Sequence, residues 1–276
     1  MATDGRAATG VETIRSTPGP DGAPVLRLDH VTVRFGGITA LDDVALDLRA
    51  GEVCGLIGPN GAGKTTLFDV ISGVRAPDTG RVVLDGHDIT AWGAVRRARA
   101  GLRRTFQRVQ TYGWLSSADN VLAALEWEGG GGGLPADLVA SPTRRRRERA
   151  RRGQVDKVLE FCGVDGVRDN PAGSLPIGTA RMVEVARAIV ERPRVLLLDE
   201  PTSGLEEAEV ERLADRIRAI RGDGSCAVLL VEHDVGFVMG LCDRIVVLDL
   251  GRVLTAGTPE EIQSDREVRA AYLGEP

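Results

Sequence analysis

Gly58-Pro59-Asn60-Gly61-Ala62-Gly63-Lys64-Thr65-Thr66 is the stretch whose reading governs the fold. It meets the pattern GxxxxGK(S/T) at every fixed position. Val53-Cys54-Gly55-Leu56-Ile57, a short apolar run of the kind that forms a buried parallel strand, leads directly into it. A helix is expected to follow, through about Ser72. Strand, glycine turn and helix together make a phosphate cradle. Glycines let backbone N–H groups curl around phosphate oxygens without a Cβ clash. The helix N-terminus adds its positive end. Lys64 is placed to reach β- and γ-phosphates, the Thr65 hydroxyl to ligate Mg²⁺, and Thr66 with the loop amides to hold the α- and β-phosphates. Lys64 also stands out by composition. Of 35 basic residues only Lys64 and Lys157 are lysines, and a compact ammonium suits phosphate oxygens.

A second half-site lies downstream. After Pro193, Val195-Leu196-Leu197-Leu198 reads as another buried strand and ends in Asp199-Glu200. Carboxylates at the rim of a parallel sheet sit where ligands bind in such folds. Asp199 suits the Mg²⁺ shell, since Mg²⁺ takes few carboxylates plus water and phosphate. Glu200 suits a general base that polarises an attacking water. Alone this second motif is common and weak; paired with the loop at Lys64 it is strong. Further strands are expected at Val25–Leu28, Val31–Phe35, Leu41–Leu48, Arg81–Leu84, Ala227–Val231 and Arg244–Leu250, with a charged helix over Glu206–Arg221. Residues 95–190 read mostly as helix and loop. Strands alternating with helices predict an α/β fold with a parallel sheet.

The wider composition narrows the class. A chain of 276 residues, 42% of them hydrophobic, can bury one large domain with inserts. Its 35 basic and 40 acidic residues leave a net charge of −5, which speaks against nucleic acid as the main partner. Cys54, Cys162, Cys226 and Cys242 show no CxxC pairing, so neither a zinc site nor a disulfide framework is indicated; they read as small buried residues in a reducing compartment. Residues 1–24 read as a disordered, Pro/Gly-rich tail without a signal peptide's apolar run. No apolar stretch reaches the ~18 residues of a membrane span. Gly129 to Gly133 reads as a flexible loop. The run Arg144–Arg152 reads foremost as a solvated helix face, with an anionic surface as the other reading. No internal repeat is visible.

With these motifs in place, the sequence from about residue 25 to the end resembles the nucleotide-binding subunit of an ATP-binding cassette transporter. The resemblance implies a P-loop NTPase core with a parallel sheet, an N-terminal antiparallel β subdomain, an α-helical subdomain inserted at about 112–190, and a C-terminal helical extension from about 258 to 276. It also implies residue roles. Phe35, 23 residues before Gly58, falls where the family places an aromatic that stacks on adenine. Gln107, in Arg104-Thr105-Phe106-Gln107, falls at the Q-loop glutamine, a ligand of Mg²⁺ and water that senses the membrane partner. His233, in Val231-Glu232-His233-Asp234, falls at the switch histidine that contacts the γ-phosphate and the attacking water. Ser203-Gly204-Leu205 resembles the D-loop along the dimer seam. Leu175-Pro176-Ile177-Gly178-Thr179 occupies the place of the signature, which faces the ATP held by an opposing subunit. It departs from the family there: Pro176 stands for a serine and Thr179 for a glutamine, so side-chain donors are fewer. Glu206 stands for the usual D-loop aspartate. Gly178 and a following helix over Ala180–Val190 keep the pattern.

The branch resembled is that of branched-chain amino acid importers and related amide or urea importers. Arg104-Thr105-Phe106-Gln107, the Leu-Pro-x-Gly signature, the run Val231 to Arg244, and the ending Gly257-Thr258-Pro259-Glu260-Glu261-Ile262 to Ala270-Ala271-Tyr272-Leu273-Gly274-Glu275 carry it. Such a subunit binds ATP and Mg²⁺ in a head-to-tail pair with a second, often different, ATPase subunit. It works beneath transmembrane permease subunits on the cytoplasmic face of the membrane, and indirectly with an extracytoplasmic solute-binding protein. An ATPase of lipid or lipopolysaccharide export shares the framework. A soluble ATP-dependent switch acting on nucleic acid or translation is the remaining alternative; it usually carries two cassettes or a long coiled-coil insert, and this chain has one phosphate loop and a short insert.

Overall fold

The computed structural model describes residues 23–125 and 142–268. Most of the expected tail over 1–24, the glycine run Gly129 to Gly133 and the segment Ala270 to Glu275 lie outside the described residues.

Two sheets form the frame. One is antiparallel, with strand order β2-β1-β4-β5 drawn from β1 (Leu26–Phe35), β2 (Ile38–Leu48), β4 (Thr79–Leu84) and β5 (His87–Asp88). The other has the order β10-β9-β3-β8-β7-β6. It comprises β3 (Val53–Ile57), β6 (Leu102–Arg104), β7 (Val195–Asp199), β8 (Ala227–Val231), β9 (Arg244–Asp249) and β10 (Arg252–Gly257). All its pairings are parallel except β9 with β10. The helices are α1 (Lys64–Ser72), α2 (Ala94–Arg99), α3 (Ser117–Leu125), α4 (Pro142–Cys162), α5 (Ile177–Ile189), α6 (Glu207–Gly222), α7 (Val235–Leu241) and α8 (Pro259–Ser264).

The apolar runs of β3, β7 and β8 are buried on both faces, and the pleat divides them between two cores. Val53, Ile57, Leu196, Leu198, Val228 and Leu230 point to a core shared with α3, α4, α5 and α6. Cys54, Leu56, Val195, Leu197, Ala227 and Leu229 point to a core shared with α1 and the antiparallel sheet. All four cysteines are buried and free. Burial pushes the thiols of Cys54, Cys162 and Cys226 up to about 12 and that of Cys242 higher still. Their burial matches the sequence reading, and a buried thiol held protonated is a poor nucleophile.

Several sequence expectations change. The two expected strands Val25–Leu28 and Val31–Phe35 are one strand, β1, with an irregular register between Leu28 and Val31 where His30 adopts φ 51°. β6 and β10 were not expected. The first is three residues with two arginines, and the second is an edge strand exposed on alternate residues. α5 begins at Ile177 rather than Ala180. Pro176 caps it, and its carbonyl accepts the Ala180 N–H at 2.9 Å. A residue that lacks an N–H loses nothing just outside a first turn, whose donors are unpaired in any case. In the arginine run, Arg146, Arg147 and Arg149 are exposed and Arg152 pairs with Glu148 at 2.9 Å.

Arg97 and Arg181 are the largest fully buried side chains among the described residues, and Arg97 holds α1 in place. Its guanidinium donates to Val70 O and Ile71 O at the end of α1, at 2.6 and 2.8 Å, and to Trp92 O and Thr90 O at 2.9 and 3.0 Å. Burial lowers its pKa to about 10. Arg97→Met is expected to leave these carbonyls without a donor and to cost on the order of 3 kcal/mol, read as a lower urea midpoint at unchanged m-value.

Candidate active site at the rim of the parallel sheet

Strands β3, β8 and β7 are neighbours and parallel, so their C-terminal ends open on one edge. That edge receives the phosphate loop from β3, Glu232-His233 from β8 and Asp199-Glu200 from β7. Sheet pairing thus brings the phosphate loop to segments that lie more than a hundred residues downstream in sequence.

Gly58 begins the loop where the chain passes against β9. A Cβ there would lie 2.0 Å from Leu248 O, so no other residue fits. Pro59, Asn60, Gly61, Ala62 and Gly63 complete the turn, and α1 starts at Lys64. Lys64 is 7% exposed. Its ammonium donates to Gly58 O at 2.6 Å and Pro59 O at 2.9 Å, which folds the side chain back along its own loop. Burial lowers its pKa, and the nearby carboxylates of Glu200 and Asp199 oppose that shift. Thr65 is exposed and Thr66 half-buried.

Glu200 adopts φ 45°, a left-handed conformation unusual for a residue with a side chain. Its N–H donates to Val231 O at 2.9 Å, which anchors the turn to β8. Its carboxylate is held from two sides: Gln107 Nε2 donates to Oε2 at 2.7 Å, and His233 Nε2 lies 2.9 Å from Oε1. The fold therefore brings together Lys64, Asp199, Glu200, Gln107 and His233. Phe35 stands apart from these on the antiparallel sheet, 48% exposed, with the Arg75 guanidinium 3.8 Å from its ring centre.

Leu175, Pro176, Ile177, Gly178 and Thr179 form the entry and first turn of α5, with Ile177 53% exposed. None of them bonds to the phosphate loop. They lie instead beside the D-loop segment Ser203-Gly204-Leu205 and α6. A Cβ at Gly178 would lie 1.9 Å from Glu209 Oε1, so a larger residue there would displace the Glu209 carboxylate. Glu206 is the N-cap of α6 and forms a capping box with Glu209, so it acts locally on the helix start.

Three contacts were not foreseen. Arg104 links α1 to β7: it donates to Asp69 Oδ1 at 2.6 Å and to Asp199 Oδ2 at 2.9 Å. Buried Glu232 accepts from Thr202 N and Oγ1 at 2.8 and 2.7 Å and from His233 N at 3.1 Å, tying the turn after β7 to the end of β8. Arg181 and Glu184 of α5 hold the backbone around Gln107. The available signal was a charged side chain at the end of an apolar strand, or two opposite charges one turn apart on a helix.

The donors present fit Mg²⁺. Arg104 occupies one oxygen of Asp199 and leaves the other, Gln107 keeps its amide oxygen while its nitrogen serves Glu200, and the Thr65 hydroxyl is exposed. One carboxylate with neutral oxygens suits an ion that takes its remaining ligands from phosphate and water. Among the described residues no group of three His, Cys, Asp or Glu is placed to hold a metal without such help. No helix among them is long and apolar enough to cross a membrane.

A phosphate loop after one inner strand and paired carboxylates after another, on one edge of a parallel sheet, define a nucleoside triphosphatase. The comparisons with known proteins agree. The ABC transporter family model matches residues 41–203, and a model of the branched-chain amino acid ATP-binding cassette transporter matches residues 252–276. BraF of Pseudomonas aeruginosa, a high-affinity branched-chain amino acid transport ATP-binding protein, is 38% identical over 91% of this chain and 98% of its own. LivG of Escherichia coli, of the same description, is 36% identical over the same shares. The crystal structure of a nucleotide-free ATP-binding cassette from an ABC transporter superposes with a TM-score of 0.78 at 28% identity, covering 92% of this chain and 100% of that one. This chain belongs to the ABC transporter ATP-binding family. It is an ATPase of the kind that energises a transporter, and it binds nucleotide.

Proposed function

We propose that this subunit hydrolyses ATP between its own phosphate loop and the signature of an opposing ATPase subunit, and so drives import of branched-chain amino acids or related amides or urea. The observation that carries the site is the pair of contacts on Glu200, from Gln107 and from His233, at the rim that holds Lys64. In this reading the amides of Gly58 to Thr66 and Lys64 bind the phosphates, and Thr65, Asp199 and Gln107 hold Mg²⁺. The ion would neutralise phosphate charge. Glu200 orients and deprotonates the attacking water, and His233 fixes the carboxylate and meets the γ-phosphate. Arg104 sets the orientation of Asp199 from behind.

Leu175 to Thr179 and Ser203 to Leu205 would face the partner's ATP and the dimer seam. Pro176 and Thr179 offer the opposing γ-phosphate fewer side-chain donors than the usual serine and glutamine, and this favours an asymmetric pair with a different ATPase subunit. Permease subunits in the membrane and, through them, an extracytoplasmic solute-binding protein complete the assembly, with this chain peripheral on the cytoplasmic face. The division into tail, antiparallel β part, helical insertion and C-terminal extension belongs to the same reading, as does the absence of a nucleic-acid partner.

One observation supports a second reading. LptB of Acidithiobacillus ferridurans, a lipopolysaccharide export ATP-binding protein, is 40% identical over 84% of this chain. Pull-down from a detergent extract, with identification of the bound chains, separates the two: permeases with a solute-binding protein support import, and export components overturn it. Stimulation of ATPase activity by polynucleotide, with no permease bound, would overturn both.

Phe35 is proposed to stack on adenine with the ring face that Arg75 leaves open. Phe35→Ala is expected to weaken ATP binding about 3–10-fold by titration calorimetry, the size of a lost aromatic contact, with little change in turnover at saturating ATP.

A further inference from the structure

We propose that Arg181 and Glu184 form a strut that fixes the loop around Gln107 to α5, so that the ATP site this subunit builds for itself and the site it completes for its partner change together. Arg181 is 1% exposed and Glu184 likewise. Arg181 Nη1 donates to Phe106 O at 2.7 Å and to Glu184 Oε2 at 2.7 Å, while Nη2 donates to Gln107 O at 2.6 Å. Glu184 Oε1 accepts the Gln110 N–H at 3.1 Å. Among the described residues, the backbone from Phe106 to Gln110 makes its hydrogen bonds to these two side chains rather than to other backbone groups. Its position is therefore set by α5.

Both ends of the strut meet a reaction site. At one end Gln107 bonds Glu200. At the other, Arg181 lies one turn along α5 from Gly178, in the helix whose first turn is Ile177 to Thr179. That first turn lies close beside Gly204 and Glu209: a Cβ at Gly204 would meet Ile177, and one at Gly178 would meet the Glu209 carboxylate. A planar guanidinium forked across two consecutive carbonyls is rigid, so a shift of α5 moves Gln107 with it. Arg181 and Glu184 touch neither nucleotide nor water in this scheme; they are positioning residues. The inference rests on the two-subunit site proposed above.

The rival is that the pair merely fills the core. A buried ion pair can often be exchanged for apolar residues of similar volume without loss of stability, and this provides the test. The double variant Arg181→Met with Glu184→Leu, studied in the assembled complex with permease and opposing ATPase subunit, is expected to fold with a melting temperature lowered by no more than a few degrees, because the backbone groups it releases belong to a loop whose Gln107 and Gln110 are exposed to water. Its ATP KM should stay within about threefold, while kcat falls about tenfold and the Hill coefficient for ATP drops to about 1, the signature of lost coupling. Arg181→Lys keeps the charge beside Glu184 but cannot span both carbonyls; it should melt as wild type and show the same direction of loss.

A double variant with wild-type kcat and cooperativity overturns the strut. So does loss of the fold in both variants, which would make the pair structural. A wild-type complex that hydrolyses ATP without cooperativity overturns the two-subunit reading itself, and the strut with it.

Discussion

Glu200→Gln is expected to leave ATP binding intact, to reduce phosphate release by about 10²–10⁴-fold, and to trap an ATP-bound dimer with the correct partner subunit. The amide preserves the shape of the site. Its oxygen can still accept from Gln107 Nε2, and its NH₂ can donate to His233 Nε2 in place of the present contacts at 2.7 and 2.9 Å. What it loses is the ability to take a proton from water. The left-handed turn at Glu200 tolerates the change, since the side chain alone differs and the N–H bond to Val231 O remains. Single-turnover phosphate release and size-exclusion chromatography with Mg-ATP read the two effects. Wild-type turnover would remove Glu200 from the chemistry. A persistent monomer at saturating ATP, with the partner present, would count against the composite site.

Lys64→Ala should act earlier, on binding. The buried ammonium is the cation of the loop, and charge-assisted hydrogen bonds of this kind contribute about 1.5–3 kcal/mol each. Losing contacts to two phosphates is expected to weaken Mg-ATP binding by about 10²–10³-fold in calorimetry. The fold should survive, because the carbonyls released, of Gly58 and Pro59, belong to a loop that water can reach at Pro59 and Asn60. Lys64→Arg should fail as well. A planar fork cannot lie back along the loop as the lysine does, nor approach the β- and γ-phosphates as a point charge. Near-native affinity in either variant would show that the loop amides alone hold the phosphates.

The branch of the family bears on the signature. Pro176 has no N–H and makes no side-chain cap bond. Its position, however, is structurally well suited. It ends the preceding extended segment and starts α5 at Ile177, so Gly178 and Thr179 present helical N–H groups at the entry turn. In the two-subunit reading proposed above, these N–H groups would supply part of what the missing side-chain donors do not.

Much of this was legible in the chain itself. The pattern at Gly58 to Thr66, the apolar strands before it and before Asp199, and His233 after a third such strand fixed a parallel α/β core and its reactive edge. Glycine, lysine and carboxylate at fixed spacing answer to local rules, and apolar runs of five residues answer to burial, so both can be read from one dimension. What the tertiary structure alone decided is which groups meet. The strand order β8-β7-β6 is set by pairing between distant segments, and it brings His233 after β8 and Gln107 after β6 to opposite oxygens of Glu200 after β7. Arg104 on Asp199, Glu232 across two turns, and Arg181 with Glu184 beneath Gln107 are likewise long-range bonds of buried charges. In sequence they are unremarkable arginines and glutamates, because a charge shows its use only when burial removes water and leaves it to partners that the fold supplies.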